Sequence, residues 1–281
     1  MTRRRLLFAA GAPLAAGAYP VAIEPSWLEL TVNRIHLGGR QRGFLRILQL
    51  TDLHASFEVS LALIEEAIGM GLAAKPDLAC LTGDFITRGY SYRERPYADV
   101  IRRLSKAMPA FAVLGNHDGG GWARLRDGHE TTAEVQRLLE SAGVQLLHNR
   151  SQTVEVRGSK FEMTGVGDLW ADEVLPDRAF KFVQAEWPVV LLAHNPDSKE
   201  IVRRFPWDVM LSGHTHGGQV VLPAVGPYYA PVKDKRFIAG LKRWDGRHIY
   251  VSRGVGSLAH VRFMCRPEVT ILDISTGEAA R

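Results

Sequence analysis

The sequence predicts an α/β fold. Short apolar runs with strand character alternate with segments of helical periodicity, and five of the apolar runs stop abruptly at polar residues. The stops are Asp52/His54, Asp84, Asn116/His117, His194 and His214/His216. In open α/β sheets ligands bind beyond the carboxyl ends of the strands, so five such ends can converge on one site.

In chain order, residues 27–36 alternate as a strand, and residues 44–50 form a second that ends at Thr51-Asp52. Between them, Leu37-Gly38-Gly39-Arg40-Gln41-Arg42-Gly43 lacks the Lys-Ser/Thr ending of a nucleotide loop and reads as a hairpin turn. Residues 61–72 have helical spacing, and residues 77–81 form a buried strand that leads into Gly83-Asp84. A helix over 97–108 precedes a strand over 110–114, which ends at Gly115-Asn116-His117-Asp118. A helix over 131–142 is followed by strands near 144–147, 153–156 and 161–166. The strand 189–192 ends at His194, where Asn195-Pro196-Asp197 stops it and starts a helix. The strand 209–211 ends at Gly213-His214, and strands over 248–252 and 269–274 close a single domain spanning 27–276.

Hydrophobic residues make up 46% of the 281 and charged residues 23%, enough for a core without covalent staples. Cys80 and Cys265 read as separate buried thiols, and without a Cys-x-x-Cys no thiolate metal site is expected. The net charge of +5 owes three charges to Arg3, Arg4 and Arg5, and no basic stripe with interleaved aromatics follows, so no nucleic-acid partner is expected. Residues 1–18 pair that basic start with a short apolar run ending in Ala16-Gly17-Ala18, the pattern of a secretory signal. The paired arginines resemble a twin-arginine export signal. The expectation is an exported protein of the periplasm or cell envelope that uses the twin-arginine machinery, or one held at a membrane by an uncleaved N-terminus.

The five stops carry metal-binding chemistry. Asp52 and His54 place an oxygen and a nitrogen two residues apart, on one side of an extended segment. Asp84 can bridge two cations through both of its oxygens, Asn116 offers an amide oxygen, and His194 a nitrogen. His214 and His216 repeat the two-residue spacing. Imidazole and carboxylate without sulfur suit manganese, zinc, iron or cobalt. The other histidines, His36, His129, His148, His248 and His260, fall in no motif. Gly119-Gly120-Gly121-Trp122 is a candidate mobile wall of the site, whereas Trp170 and Tyr228-Tyr229 are candidate substrate contacts that read better as core or rim packing.

Taken together, Asp52-x-His54, Gly83-Asp84, Gly115-Asn116-His117-Asp118, His194 and Gly213-His214-x-His216 resemble the five motifs of calcineurin-like metallophosphoesterases, in that family's order. Residues 19–30, Asp168-Leu169-Trp170 and the segment from Arg253-Gly254-Val255-Gly256 to Arg266-Pro267-Glu268-Val269 look like one bacterial branch of it. That branch holds exported phosphodiesterases and relatives of UDP-2,3-diacylglucosamine pyrophosphatase. Ala259-His260-Val261 departs from the branch, which often has a proline there.

The resemblance implies a four-layer sandwich of two mixed β-sheets flanked by helices, with the metal-binding loops at the carboxyl edge of the strands. It implies two divalent transition-metal ions: one on Asp52, His54, Asp84 and His216, the second on Asp84, Asn116, His194 and His214, bridged by Asp84. It further implies a phosphodiesterase or pyrophosphatase in which metal-activated hydroxide attacks phosphorus directly. His117 would then protonate the leaving oxygen, and Asp118 would orient its ring or raise its pKa. The absence of a large insertion between Asp118 and His194 favours a bulky diester, such as a lipid headgroup or a nucleotide-type diester. Two alternatives stay open: a phosphomonoesterase with the same site, and a non-catalytic scaffold, against which all seven filled ligand positions argue.

Overall fold

The computed structural model describes residues 18–38, 42–87, 90 and 92–277. The expected export signal therefore lies, apart from Ala18, outside the described residues.

Fourteen strands are found among the described residues: β1 (Glu29–Leu37), β2 (Gly43–Leu50), β3 (Leu78–Thr82), β4 (Ala110–Val113), β5 (Gln145–Leu146), β6 (Arg150–Val156), β7 (Ser159–Gly165), β8 (Val189–Leu192), β9 (Val209–Ser212), β10 (Val221–Leu222), β11 (Gly226–Pro227), β12 (Gly240–Trp244), β13 (Arg247–Val251) and β14 (Glu268–Thr276). The longer helices are α1 (Leu61–Ala73), α2 (Glu94–Ala107) and α3 (Ala133–Ser141). One six-stranded sheet has the order β1-β14-β2-β3-β4-β5, the other β12-β13-β9-β8-β7-β6. Both are mixed, each with parallel strands in its middle and an antiparallel pairing elsewhere.

Strand periodicity sets the layers, because successive side chains point to opposite faces. Leu45 and Ile47 of β2, with Leu78 and Cys80 of β3, face Phe161, Met163, Val190, Leu192, Val209 and Leu211 of the second sheet. The alternate residues, Leu48, Leu50, Ala79 and Leu81, pack beneath the helices. Helix α1 sends Ile64, Ala67, Ile68 to that core, and α2 sends Tyr97, Ile101 and Leu104, the i, i+4, i+7 stripe of a one-sided helix. The Ser60 hydroxyl starts α1 by accepting from Leu63 N, a cap whose loss costs about 1 kcal/mol. The second sheet covers its outer face differently. Leu191, Met210 and Ile249 pack under short helical turns and loops that carry Phe180, Trp207 and Phe237.

The expected hairpin at residues 37–43 is corrected. β1 and β2 are not neighbours, because β14 lies between them, parallel to β1 and antiparallel to β2. β14 is buried along nearly its whole length and needs a partner on each side. Three further strands escape the sequence reading. β10 and β11 have two residues each, and β12, Gly-Leu-Lys-Arg-Trp, is an edge strand with no clear alternation. Cys80 and Cys265 are separate buried thiols, as expected.

The architecture places the site. β2, β3 and β4 are neighbours in one sheet, and β8 and β9 in the other. The edges are tied by buried Gln49, whose amide donates to Thr82 Oγ1 at 3.1 Å and to Ser212 O at 2.9 Å.

Candidate metal centre

All five strand-end loops meet. Asp52, His54 and His216 place ligand atoms within 4.8 Å of one another, as do Asp84, His194 and His214. Asp84 joins the two groups through one atom: its Oδ2 lies 3.4 Å from His54 Nε2 and 3.1 Å from His194 Nε2. Its Oδ1 is occupied, accepting from His117 N at 2.9 Å. The sequence expectation used both oxygens; here only Oδ2 is turned toward both groups. All these residues are buried.

The backbone reaches this arrangement by a route the sequence does not announce. The extended segments expected at 52–54 and 214–216 are instead turned. Asp52, His54, Asp84, His214 and His216 have φ of 51°, 47°, 56°, 71° and 50°. This left-handed region costs L-residues energy, and Asp and His are among those that tolerate it best. Such strain persists where the surroundings over-determine it, typically at functional sites. Close approach adds a further constraint at Gly213, where a Cβ would collide with Thr51 Oγ1 and Asp52 Oδ2.

Hydrogen bonds fix which imidazole nitrogens face inward. His194 Nδ1 lies 2.7 Å from Thr82 O, and His214 Nε2 lies 3.0 Å from Pro231 O. A carbonyl only accepts, so both rings spend one N–H outward and turn their second nitrogens toward each other, 3.2 Å apart. On the other side His54 Nε2 and His216 Nε2 are also 3.1 Å apart, and His216 Nε2 is 3.4 Å from Asp52 Oδ1. Facing lone pairs beside buried carboxylates repel unless a cation or a proton lies between them.

The charges agree. Burial holds His54 and His214 well below the ordinary histidine value, and burial with the nearby Arg262 charge brings His216 down to about 3. These rings are neutral donors. Burial opposes a proton on His194 as well, but the Asp84 carboxylate outweighs it and raises His194 well above its ordinary value. Burial also pushes Asp52 up to about 7, with the Asp84 charge adding to it. A cation would offset the buried carboxylate charges and take the place of the proton on His194. Asn116 is buried with an Oδ1 that has no hydrogen-bond partner, an orphaned acceptor of the kind a metal satisfies. The donor set thus fits two divalent ions.

His117 joins this centre, its ring nitrogen within 4.8 Å of ligand atoms on His54 and Asp84. For Asp118 the sequence suggests orienting that ring. In the structure its Oδ2 accepts from Asp84 N at 2.9 Å and Gly115 N at 2.8 Å, and its Oδ1 from Phe85 N at 2.7 Å. Its geometric task is to clasp the second and third loops.

Trp122 lies at the site, as the sequence suggested, and three further residues, Trp170, Asp168 and Arg262, join it. Trp122 lies 4.8 Å from the His117 ring and stacks at 5.7 Å on Trp170, which meets His214 edge-on at 4.3 Å. Trp170 is thus a wall of the centre. Asp168 is buried and caps the turn carrying Trp170 by accepting from Trp170 N and Ala171 N. It follows β7 as the candidate ligands follow their strands, a signal that was available. Arg262 is fully buried and donates to the carbonyls of Cys265, Arg253, Gly254 and Gly256. Gly256 N in turn donates to Asp52 O at 2.7 Å, so Arg262 braces the loop behind the first ligand. A lone loop arginine gives no such signal in sequence.

Comparison with known proteins agrees with this geometry. A family described as calcineurin-like phosphoesterase matches residues 45–218. The chain is 43% identical over 277 residues to phosphodiesterase YaeI of Escherichia coli K12, covering 98% of this chain and 99% of that protein. It is 32% identical to the uncharacterized metallophosphoesterase YkuE of Bacillus subtilis, covering 98% of each. It is 27% identical to the UDP-2,3-diacylglucosamine pyrophosphatase LpxG of Chlamydia muridarum, covering 93% of each.

Proposed function

Because the chain belongs to the calcineurin-like phosphoesterase family, we propose that it cleaves a phosphodiester or pyrophosphate linkage, lipid-linked or nucleotide-like, at a pair of divalent ions. The observation that carries this reading is Asp84 Oδ2, shared at 3.4 Å and 3.1 Å between two sets of imidazoles. Asp52, His54, Asp84 and His216 would hold one ion, and Asp84, Asn116, His194 and His214 the other. Bound there, manganese, zinc, iron or cobalt supplies a water of lowered pKa and a clamp on the attacking and leaving oxygens.

The chain's own residues do the rest. The carbonyls of Thr82 and Pro231 hold His194 and His214 in the ligand tautomer. Asp118 fixes Asp84 by holding its N–H. His117, beside that carboxylate, delivers a proton to the leaving oxygen. His117→Ala should therefore slow alkyl diesters far more than nitrophenyl diesters, whose leaving group needs no proton. Equal slowing would remove His117 from that role.

The relatives supply the substrate classes. One is a phosphodiesterase, and another a pyrophosphatase of a lipid-linked nucleotide. The basic and apolar residues 1–18 support export by the twin-arginine route to the envelope, or retention at its membrane. Replacing Arg3, Arg4 and Arg5 by lysine should leave the protein in the cytoplasmic fraction. Unchanged fractionation would refute that route.

The test of activity is to strip the purified protein, add back each metal, and assay a chromogenic phosphodiester beside its monoester. Asp84→Ala is the control. Metal-restored diester cleavage that is absent in the variant is expected. A preference for the monoester would move the function to phosphatase.

A further inference from the structure

We propose that the surface built by residues 219–232, residues 263–264 and residues 19–23 is a docking face for an anionic phospholipid bilayer, bordering the metal centre. This deepens the lipid-linked reading above and rests on it.

Residues 219–232, Gln-Val-Val-Leu-Pro-Ala-Val-Gly-Pro-Tyr-Tyr-Ala-Pro-Val, carry no charged side chain, in a chain that is 23% charged. Such a stretch would ordinarily be core. Here it is surface: Val225, Tyr228 and Tyr229 are 76%, 77% and 66% exposed. Two other segments lie against it. Val221 N donates to Phe263 O, and Phe263 N to Gln219 O. Tyr19 packs edge-on against Phe263 at 6.4 Å, and Arg262 N donates to Pro20 O. These neighbours add exposed Met264, Val21 and Ile23. A contiguous apolar surface of this kind marks an interaction site in a water-soluble fold.

Three observations identify the occupant as lipid. Tyrosines beside aliphatic side chains are the composition of the membrane–water interface, where an amphipathic ring spans the boundary. Exposed Lys233 and Lys235 follow the apolar loop directly, and near-surface lysines are drawn to anionic headgroups. A second copy on the same face would set these lysines against each other. The apolar run over residues 6–18 ends at Ala18, the first described residue, and the adjoining Tyr19 lies on this face.

The face adjoins the chemistry. The loop returns to the centre at Pro231, whose carbonyl lies 3.0 Å from His214 Nε2. At its other end, Gly218 follows the His216 turn and has no room for a Cβ beside Pro227. A bilayer on this surface therefore presents its headgroups at the rim of the metal centre.

The test uses the full chain, whose native cysteines are both buried, with an environment-sensitive fluorophore on Val225→Cys or Met264→Cys and, as control, on Gln152→Cys of the far edge strand β6. Vesicles of phosphatidylglycerol in phosphatidylcholine should give a blue shift and a severalfold intensity rise at 225 and 264, and none at 152. Pure phosphatidylcholine should give a weaker response. Adding Val225→Asp and Tyr228→Asp should abolish the response at 264 while turnover of a soluble chromogenic diester stays unchanged. Equal responses at 225 and 152 would overturn the proposal, because residues 1–18 alone would then be the tether. So would silence at 225, or a vesicle-independent response that grows with protein concentration, the sign of a second copy. Failure of the phosphoesterase reading would show separately, as absent turnover of the soluble diester.

Discussion

Asp118 holds two loops with one carboxylate. Its oxygens accept from the buried N–H groups of Asp84, Phe85 and Gly115, at 2.9, 2.7 and 2.8 Å. Leaving a buried donor unsatisfied costs about 1–3 kcal/mol, so Asp118→Ala should lose at least ~3 kcal/mol of stability in a denaturant titration. A loss below ~1 kcal/mol would mean that water replaces the carboxylate and that the clasp is unimportant. The candidate ligands were readable because each sits where an apolar run stops, and polar residues at strand ends have few other reasons to cluster. Their conformation was not readable. Nothing in Asp-Leu-His marks left-handed φ at Asp52 and His54, which loop packing imposes. Nor were Asp118's partners or the contact of Trp170 with His214, since these join loops distant in sequence and arise only when the sheets meet.

Among the elements, β14 is the keystone of its sheet, pairing with β1 on one side and β2 on the other. Opposite residues Arg46 and Asp273 join it to β2, with Arg46 Nε donating to Asp273 Oδ1 at 2.7 Å and Arg46 Nη2 to Oδ2 at 2.9 Å. The hydrogen bonds from Arg46 hold Asp273 below the usual carboxylate range. A carboxylate depressed in the folded state contributes stability above its unfolded pKa of about 3.9, and that contribution fades as pH falls through the depressed value. The pair is partly solvated, so the effect is at most about 1 kcal/mol. Wild type should therefore lose stability below about pH 4 more steeply than Asp273→Asn, in urea titrations across that range. Parallel slopes would assign the acid sensitivity elsewhere. The central strands were legible from their apolar runs. The place of β14 was not, because a one-dimensional pattern cannot say that the last strand inserts between the first two.

For the whole molecule, two mixed sheets bring the carboxyl ends of β2, β3 and β4 against those of β8 and β9, and the metal centre spans the seam. The proposed ligands of each ion come from both sheets, so metal binding would favour the folded state by mass action, by about 2.7 kcal/mol for an ion at a hundred times its Kd. Chelation should accordingly lower the melting temperature, and metal should restore it. The most direct test of the central claim is metal stoichiometry, by elemental analysis after stripping, reloading and desalting. Two ions per chain are expected in wild type, one in Asn116→Ala, whose amide would serve the second ion alone, and fewer than two in Asp84→Ala. A single ion in wild type, or none, in a protein that remains folded would contradict the two-ion centre.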